Sequence, residues 1–263
     1  MKEKYRVIYT PKGAAREYSE LALNLEIGCS HGCLYCYGAG CMRMTREDFS
    51  KPKKRVDLLR KLELDLKDMN DFGDKRRTLL CFVTDPYQPN ENGYTRLVIE
   101  LFKKYNKPFQ VLTKGGMKAT RDFDLYKKDD AYASTIVFDN EKTRKMIEPH
   151  AATIESRIES LKIAKEKGIE TWLSLEPVIF PEQALKVVDL TMGFVDKYKI
   201  GKINNFKLKK EVDWEKFTND ITEKLYRNNL KFYIKESLRP YFKNKEVIGS
   251  ENNERTTKKF INR

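Results

Sequence analysis

Cys29, Cys33 and Cys36 fall together in the short segment GCSHGCLYC (28–36), at the spacing C-x3-C-x2-C. Three thiols on one loop can converge on one site. Thiolates are soft ligands and suit Zn²⁺ or iron–sulfur clusters. A structural zinc site takes four ligands, usually as two separated pairs. Here only Cys41 and His31 stand near the three, and His31 is not read as a ligand. A cubane held by three protein thiolates keeps one iron open for a small molecule. The spacing therefore admits two chemistries: an open [4Fe–4S] cluster, or a zinc knuckle that binds without catalysing.

The elements around this loop read as alternating strands and helices. Residues 21–28 (LALNLEIG) predict a strand that stops at Cys29. A helix is expected over 53–69, with Val56, Leu59, Leu62 and Leu66 at helical spacing. Strands are expected over 78–84, 109–114, 131–137, 170–179, 194–200 and 230–235. Helices are expected over 94–105, briefly over 121–126, and over 152–167, 181–190 and 213–229. Gly168 closes one of these, Pro181 opens another and Asp213 caps a third. Such alternation predicts an α/β fold with a parallel sheet. Six or seven units of this kind suggest a barrel or an open partial barrel, whose chemistry sits at the C-terminal ends of the strands. The polar punctuation falls there: Cys29 after the first strand, Thr84 and Asp85 after the second, Lys114 after the third. Ser134, Thr135 and Glu176 follow within or beyond the next two.

With 263 residues, 40% of them hydrophobic, the chain can build one large core. No apolar run approaches ~18 residues, so no membrane span is expected, and the opening MKEKYRVIYT has no apolar signal-peptide core. A cytoplasmic protein is expected, in which five cysteines point to metal or redox chemistry and not to disulfides. The net charge of +13 would attract a polyanion such as nucleic acid, although the basic residues are spread along the chain and not gathered in one block.

The motif C-x3-C-x-aromatic-C after the first strand, with Tyr35 in the aromatic slot, resembles the radical S-adenosylmethionine (SAM) superfamily. More of the chain resembles its spore photoproduct lyase-like members, often labelled DNA repair photolyases. The carrying segments are ALNLEIGCSHGCLYCY (22–37), TDPYQPNE (84–91), VLTKG (111–115), ASTIVF (133–138), IEP with Arg157, and KIGKINN (199–205). The resemblance implies a partial (βα)6 TIM-like barrel over 1–240, with a short C-terminal extension and a basic tail over 241–263. It implies a [4Fe–4S] cluster on Cys29, Cys33 and Cys36. The open iron would chelate SAM, and one-electron reduction by an external donor such as flavodoxin or ferredoxin would yield a 5′-deoxyadenosyl radical for hydrogen abstraction. It also places Asp85, and more weakly Thr84, by the SAM amino group, Lys114 by its carboxylate, Ser134 by the ribose or carboxylate, and Tyr35 near the adenine. Arg157 and Glu176 are further pocket candidates. Nucleic acid is the leading substrate class, with a peptide or protein next. The rival is a non-catalytic zinc or iron–sulfur protein that docks on nucleic acid.

One departure limits the resemblance. The lyases carry a hydrogen-donating cysteine three residues before their aspartate, whereas Cys81 stands four before Asp85. A shift of one residue turns a strand side chain to the opposite face, so Cys81 is expected in the core. Cys41 is left without an assigned role.

Overall fold

The computed structural model describes residues 5–204 and 211–242. In chain order its elements are β1 (Leu21–Leu23), β2 (Glu26–Ile27), α1 (Gly38–Cys41), α2 (Arg46–Phe49), β3 (Lys53–Lys54), α3 (Leu58–Asp71), β4 (Thr78–Leu80) and α4 (Tyr94–Lys104). There follow β5 (Phe109–Thr113), β6 (Ala131–Thr135), α5 (Glu141–Ile147), α6 (Ile154–Glu166), β7 (Glu170–Val178), α7 (Pro181–Thr191), β8 (Lys197–Lys202), α8 (Trp214–Arg227) and β9 (Lys231–Ile234). Seven strands form one sheet in the order β1-β4-β5-β6-β7-β8-β9, with every neighbouring pair parallel. This is the expected partial barrel of TIM type. Among the described residues β1 and β9 do not pair. The N-terminal segment spans that open side: Tyr9 bridges Ala22 on β1, while Glu17 accepts from Tyr233 Oη at 3.2 Å and Glu236 N at 2.7 Å beside β9.

Side chains alternate between two faces of this sheet. Outward residues such as Val111, Leu173, Leu175, Tyr198 and Ile200 meet the buried stripes of the helices, for example Leu58, Leu62, Leu66 and Met69 of α3. The lumen face holds Ala22, Leu79, Ala131, Ala133 and Trp172, closed by Tyr18.

The segment before β1 is tied down by a single carboxylate. Asp65, fully buried on α3, accepts the backbone N–H groups of Arg6, Val7 and Ile8 at 2.8, 2.8 and 2.9 Å. Asp65→Ala orphans two buried donors, at about 1–3 kcal/mol each. A drop of about 2–4 kcal/mol in urea unfolding is expected, and less than half a kcal/mol would show the strap to be held otherwise.

The structure redraws some expected boundaries. The strand expected over 21–28 breaks at Asn24, whose Oδ1 accepts Phe82 N at 2.8 Å and Val83 N at 3.0 Å. The strand expected over 78–84 ends at Leu80 for the same reason: its next amides bond a side chain and not a ladder. Lys53 and Lys54, expected in a helix, pair antiparallel with β2, and the helix starts at Leu58. The basic tail expected over 241–263 lies, from 243 on, outside the described residues. No described helix is long and apolar enough to cross a membrane.

Candidate functional site

The cysteine loop leaves the sheet at the C-terminal end of β1 and returns through α1 and α2. Gly28 makes the turn with φ of +101°, and a Cβ there would lie 2.6 Å from the Phe49 carbonyl oxygen. The same oxygen accepts Cys29 N at 2.8 Å, so only glycine lets the loop close on α2. Gly28→Ala is expected to cost several kcal/mol in thermal unfolding and to lower metal uptake with it; unchanged melting would remove the constraint. Further along, Leu34 N donates to Ile147 O at 2.9 Å, and Arg46 reaches Leu34 O at 2.7 Å. Gly38 N donates to Cys36 Sγ at 3.3 Å.

Cys33 is buried, and Cys29 and Cys36 are partly exposed. Burial pushes the Cys29 thiol well up, with Asp85, Cys33 and Cys36 adding to it. Cys33 is pushed up to about 12 by burial, against the pull of Lys114. Electrostatically, each of the three is a neighbour of the others. No three His, Cys, Asp or Glu side chains among the described residues are drawn close enough to share one ion. A single zinc needs all its sulfurs about 2.3 Å from one point, whereas a cubane offers a separate iron to each thiol. Three soft thiols on one loop are a donor set that such a cubane accepts.

The loop after β4 clamps the first. Gln88 Oε1 accepts Ser30 N at 2.9 Å and Ser30 Oγ at 3.2 Å, while its Nε2 donates to Glu26 and, at 3.5 Å, to Thr84 Oγ1. Asp85 ties the same turn to the end of β5: it accepts Tyr87 N at 2.9 Å, Thr113 Oγ1 at 2.5 Å and Lys114 N at 2.8 Å. His31 Nδ1 lies 3.5 Å from Asp85 Oδ2 and 3.6 Å from Cys29 Sγ. Burial lowers that imidazole to about 4, so it is neutral near pH 7. Gly115 follows, where a Cβ would lie 2.5 Å from Tyr87 O.

On the Cys33 side lies a buried charge group. Tyr35 donates its hydroxyl to Glu148 Oε1. Glu148 Oε2 pairs with Arg157 Nη2 at 2.7 Å, and both side chains are 0% exposed. Arg157 also donates to Ala152 O and to Thr135 O at the end of β6, each at 2.9 Å. Lys114 Nζ sits 5.7 Å from the centre of the Tyr35 ring. Burial alone would lower the Lys114 ammonium, but Cys33, Glu148 and Asp85 outweigh it and leave it raised.

The structure thus brings Cys29, Cys33, Cys36, Tyr35, Thr84, Asp85 and Lys114 to one end of the sheet. Ser134 is set back. It shares a face with Tyr132, whose hydroxyl meets Ser160 on α6 at 2.9 Å, and its own Oγ donates to Thr113 O at 3.2 Å. Alternation gives the lumen position to Thr135 instead. Cys81 is buried in the outer core, and Cys41 is exposed. Glu176 lies on the lumen side of β7, accepting from Tyr18 Oη and, at 2.6 Å, from Lys235 Nζ. The sequence reading holds Gln88 and Glu148 only inside the segments TDPYQPNE and IEP, with no role of their own, and misses Lys235. It also left open that Arg157 is buried, although Ile154, Arg157 and Leu161 fall on one helical stripe.

The chain matches known proteins at low identity. An uncharacterized protein of Methanocaldococcus jannaschii is 27% identical over 165 residues, covering 61% of each chain, so this chain spans about three fifths of that relative. An uncharacterized protein of Acidianus two-tailed virus is 26% identical over 208 residues, 72% of this chain and 67% of that one. Among solved structures, spore photoproduct lyase with bound AdoMet and dinucleoside spore photoproduct superposes with a TM-score of 0.67 at 11% identity, covering 84% of this chain and 78% of that one. Streptococcus suis SuiB bound to S-adenosylmethionine gives 0.63 at 13%, covering 81% and 49%. These likenesses establish the fold. The profile of the radical SAM superfamily matches residues 24–195, from the turn before the cysteine loop to the start of β8. With that match running through the cysteine loop and most of the barrel, the chain belongs to the radical SAM superfamily.

Proposed function

We propose that the chain is a radical SAM enzyme in which Cys29, Cys33 and Cys36 hold a [4Fe–4S] cluster beside a SAM site. When bound and reduced, that pair supplies a 5′-deoxyadenosyl radical for hydrogen abstraction. The observation that carries the reading is the convergence of the three-thiol loop with Asp85 and Lys114 at the C-terminal edge of the sheet. A structural zinc knuckle needs no such clamp. Lys114 offers an ammonium to the SAM carboxylate. Asp85, held by three donors from β4 and β5, offers a fixed acceptor to the amino group. Tyr35 and Thr84 border the same space, and Ser134 acts from behind by holding the Thr113 carbonyl. The electron comes from an external donor of the flavodoxin or ferredoxin kind.

For substrate we propose nucleic acid. The net charge of +13 favours a polyanion, and one solved neighbour holds a dinucleoside photoproduct. Another is bound to a precursor peptide, which makes a peptide the competing class.

The test is anaerobic. The protein is reconstituted with iron and sulfide, reduced, given SAM and assayed for 5′-deoxyadenosine by chromatography. Brown protein that forms 5′-deoxyadenosine, with no product from the Cys29→Ala, Cys33→Ala, Cys36→Ala triple variant, is the expected result. Colourless, zinc-loaded protein without cleavage would leave a non-catalytic nucleic-acid-binding module in its place.

A further inference from the structure

The buried group on the Cys33 side carries more charge than the fold requires. Glu148 and Arg157 are wholly inaccessible to solvent, and Lys114 stands over Tyr35 in the same pocket. The three charges sum to one net cation. Tyr35, two residues from Cys33, bonds Glu148, while Asp85 takes the Lys114 backbone N–H and lies 3.5 Å from His31 Nδ1 on the Cys29 side. Water and salt screen charges at a surface far more than here, so these charges act more strongly on whatever Cys33 binds.

Burying an ion pair is costly and seldom the most stable choice. The pair does fix Tyr35 through its hydroxyl, but an apolar residue could pack that ring too. What an apolar residue cannot supply is a fixed potential. The potential of an iron–sulfur cluster responds to nearby charge and burial. Reduction adds a negative charge, so a cation beside it favours the reduced state and an anion opposes it.

We infer that Lys114, Arg157 and Glu148 form a fixed-charge device that sets the reduction potential of the group held at Cys33, with Glu148 as the brake and Lys114 as the cation outside the buried ion pair. Tyr35 acts as a positioning residue that anchors the cysteine loop to this device by its bond to Glu148. The inference rests on the cluster proposed above.

The sign of each change follows. Glu148→Gln keeps the side chain's shape and one acceptor, enough for the Tyr35 hydroxyl, but removes the anion that pairs with Arg157, leaving two cations. The cluster should become easier to reduce. Lys114→Gln removes the cation outside the pair and should make it harder to reduce. Tyr35→Phe changes no charge and should shift the potential less than either.

The experiment is a spectroscopically monitored redox titration of the reconstituted full chain without SAM, for wild type and the three variants. Opposite shifts for Glu148→Gln and Lys114→Gln are expected. A purely structural role would disturb both in the same direction or leave the potential alone, and either result overturns the inference. Should Glu148→Gln fail to fold, Lys114→Gln still decides: Lys114 is only partly buried and belongs to no buried ion pair, and an unshifted or raised potential sinks the idea. A wild type that assembles no cluster overturns the reading of the site, and this inference with it. A wild type that assembles one, with variants unshifted, overturns this inference alone.

Discussion

Cys29→Ala, Cys33→Ala and Cys36→Ala should each abolish SAM cleavage, while Cys41→Ala and Cys81→Ala should leave it close to wild type. A cluster held by only three thiolates has no protein ligand to spare. Losing one exposes a further iron and invites its loss. The expected fall in 5′-deoxyadenosine formation is at least about a thousandfold, about 4 kcal/mol in barrier terms. Cys41 is exposed beyond the loop and Cys81 lies in the outer core, so neither can substitute. Cys81→Ala should show a stability cost instead, about 1–2 kcal/mol for deleting a small buried group. The two readouts separate cleanly: iron and sulfide per chain report the ligands, and urea unfolding reports the core. Cleavage that survives in any of the three loop variants, or fails in Cys41→Ala, would assign the ligands differently.

The parts legible in the sequence share one property: they follow from local pattern. The strands β5, β6 and β7 and the helices α4, α6, α7 and α8 fall within a few residues of expectation, because their apolar periods are long enough to choose between helix and strand. The cysteine loop, Asp85 and Lys114 were legible because type and position at a strand's end both pointed to chemistry. What failed was long-range. Nothing local says that Asn24 will take two amides from the chain 58 and 59 residues further on and so end β4 at Leu80. Lys53 and Lys54 carry a helical neighbourhood but pair with β2, a partner chosen by the Gly28 turn. The short helices α1, α2 and α5 show no full apolar period. At the site, Gln88 and Glu148 act through residues far away in sequence, Ser30 and Tyr35, and a single polar residue gives no hint of such a partner. Arg157 is the instructive case. The resemblance names it only as a pocket candidate, yet its place on the stripe of Ile154 and Leu161 already puts it inward. A cation on a buried stripe must find an anion. That argument alone predicts a buried carboxylate, though not which one. Ser134 is the converse: strand alternation was used to turn Cys81 inward to the core, and the same rule applied at β6 turns Ser134 toward α6 and Thr135 toward the lumen.

Arg157→Ala should be the most destabilising single change at the site. It leaves the Glu148 carboxylate buried without its partner, and removing one member of a buried pair costs about 3–5 kcal/mol. It also strips the Ala152 and Thr135 carbonyls of their donor, so the upper end of that range is expected. Domains of this kind hold about 5–15 kcal/mol in all, and such a loss would bring unfolding close to working temperature. Arg157→Lys keeps the charge but not the planar fork that serves three acceptors at once, and should fall between. The paired change Glu148→Gln with Arg157→Met should cost less than Arg157→Ala alone, because no charge is stranded. Acidity gives an independent check on the cause. Burial would raise Glu148, but Arg157 and Lys114 outweigh it and hold its carboxyl below the usual range. The pair's contribution is then complete above the ordinary carboxylate range and is lost as pH falls through the depressed value. Urea midpoints of wild type and Arg157→Ala should therefore draw together in acid and stand furthest apart near neutral pH. A gap that stays constant with pH would mean that packing of the arginine stem, and not its charge, is what the barrel loses.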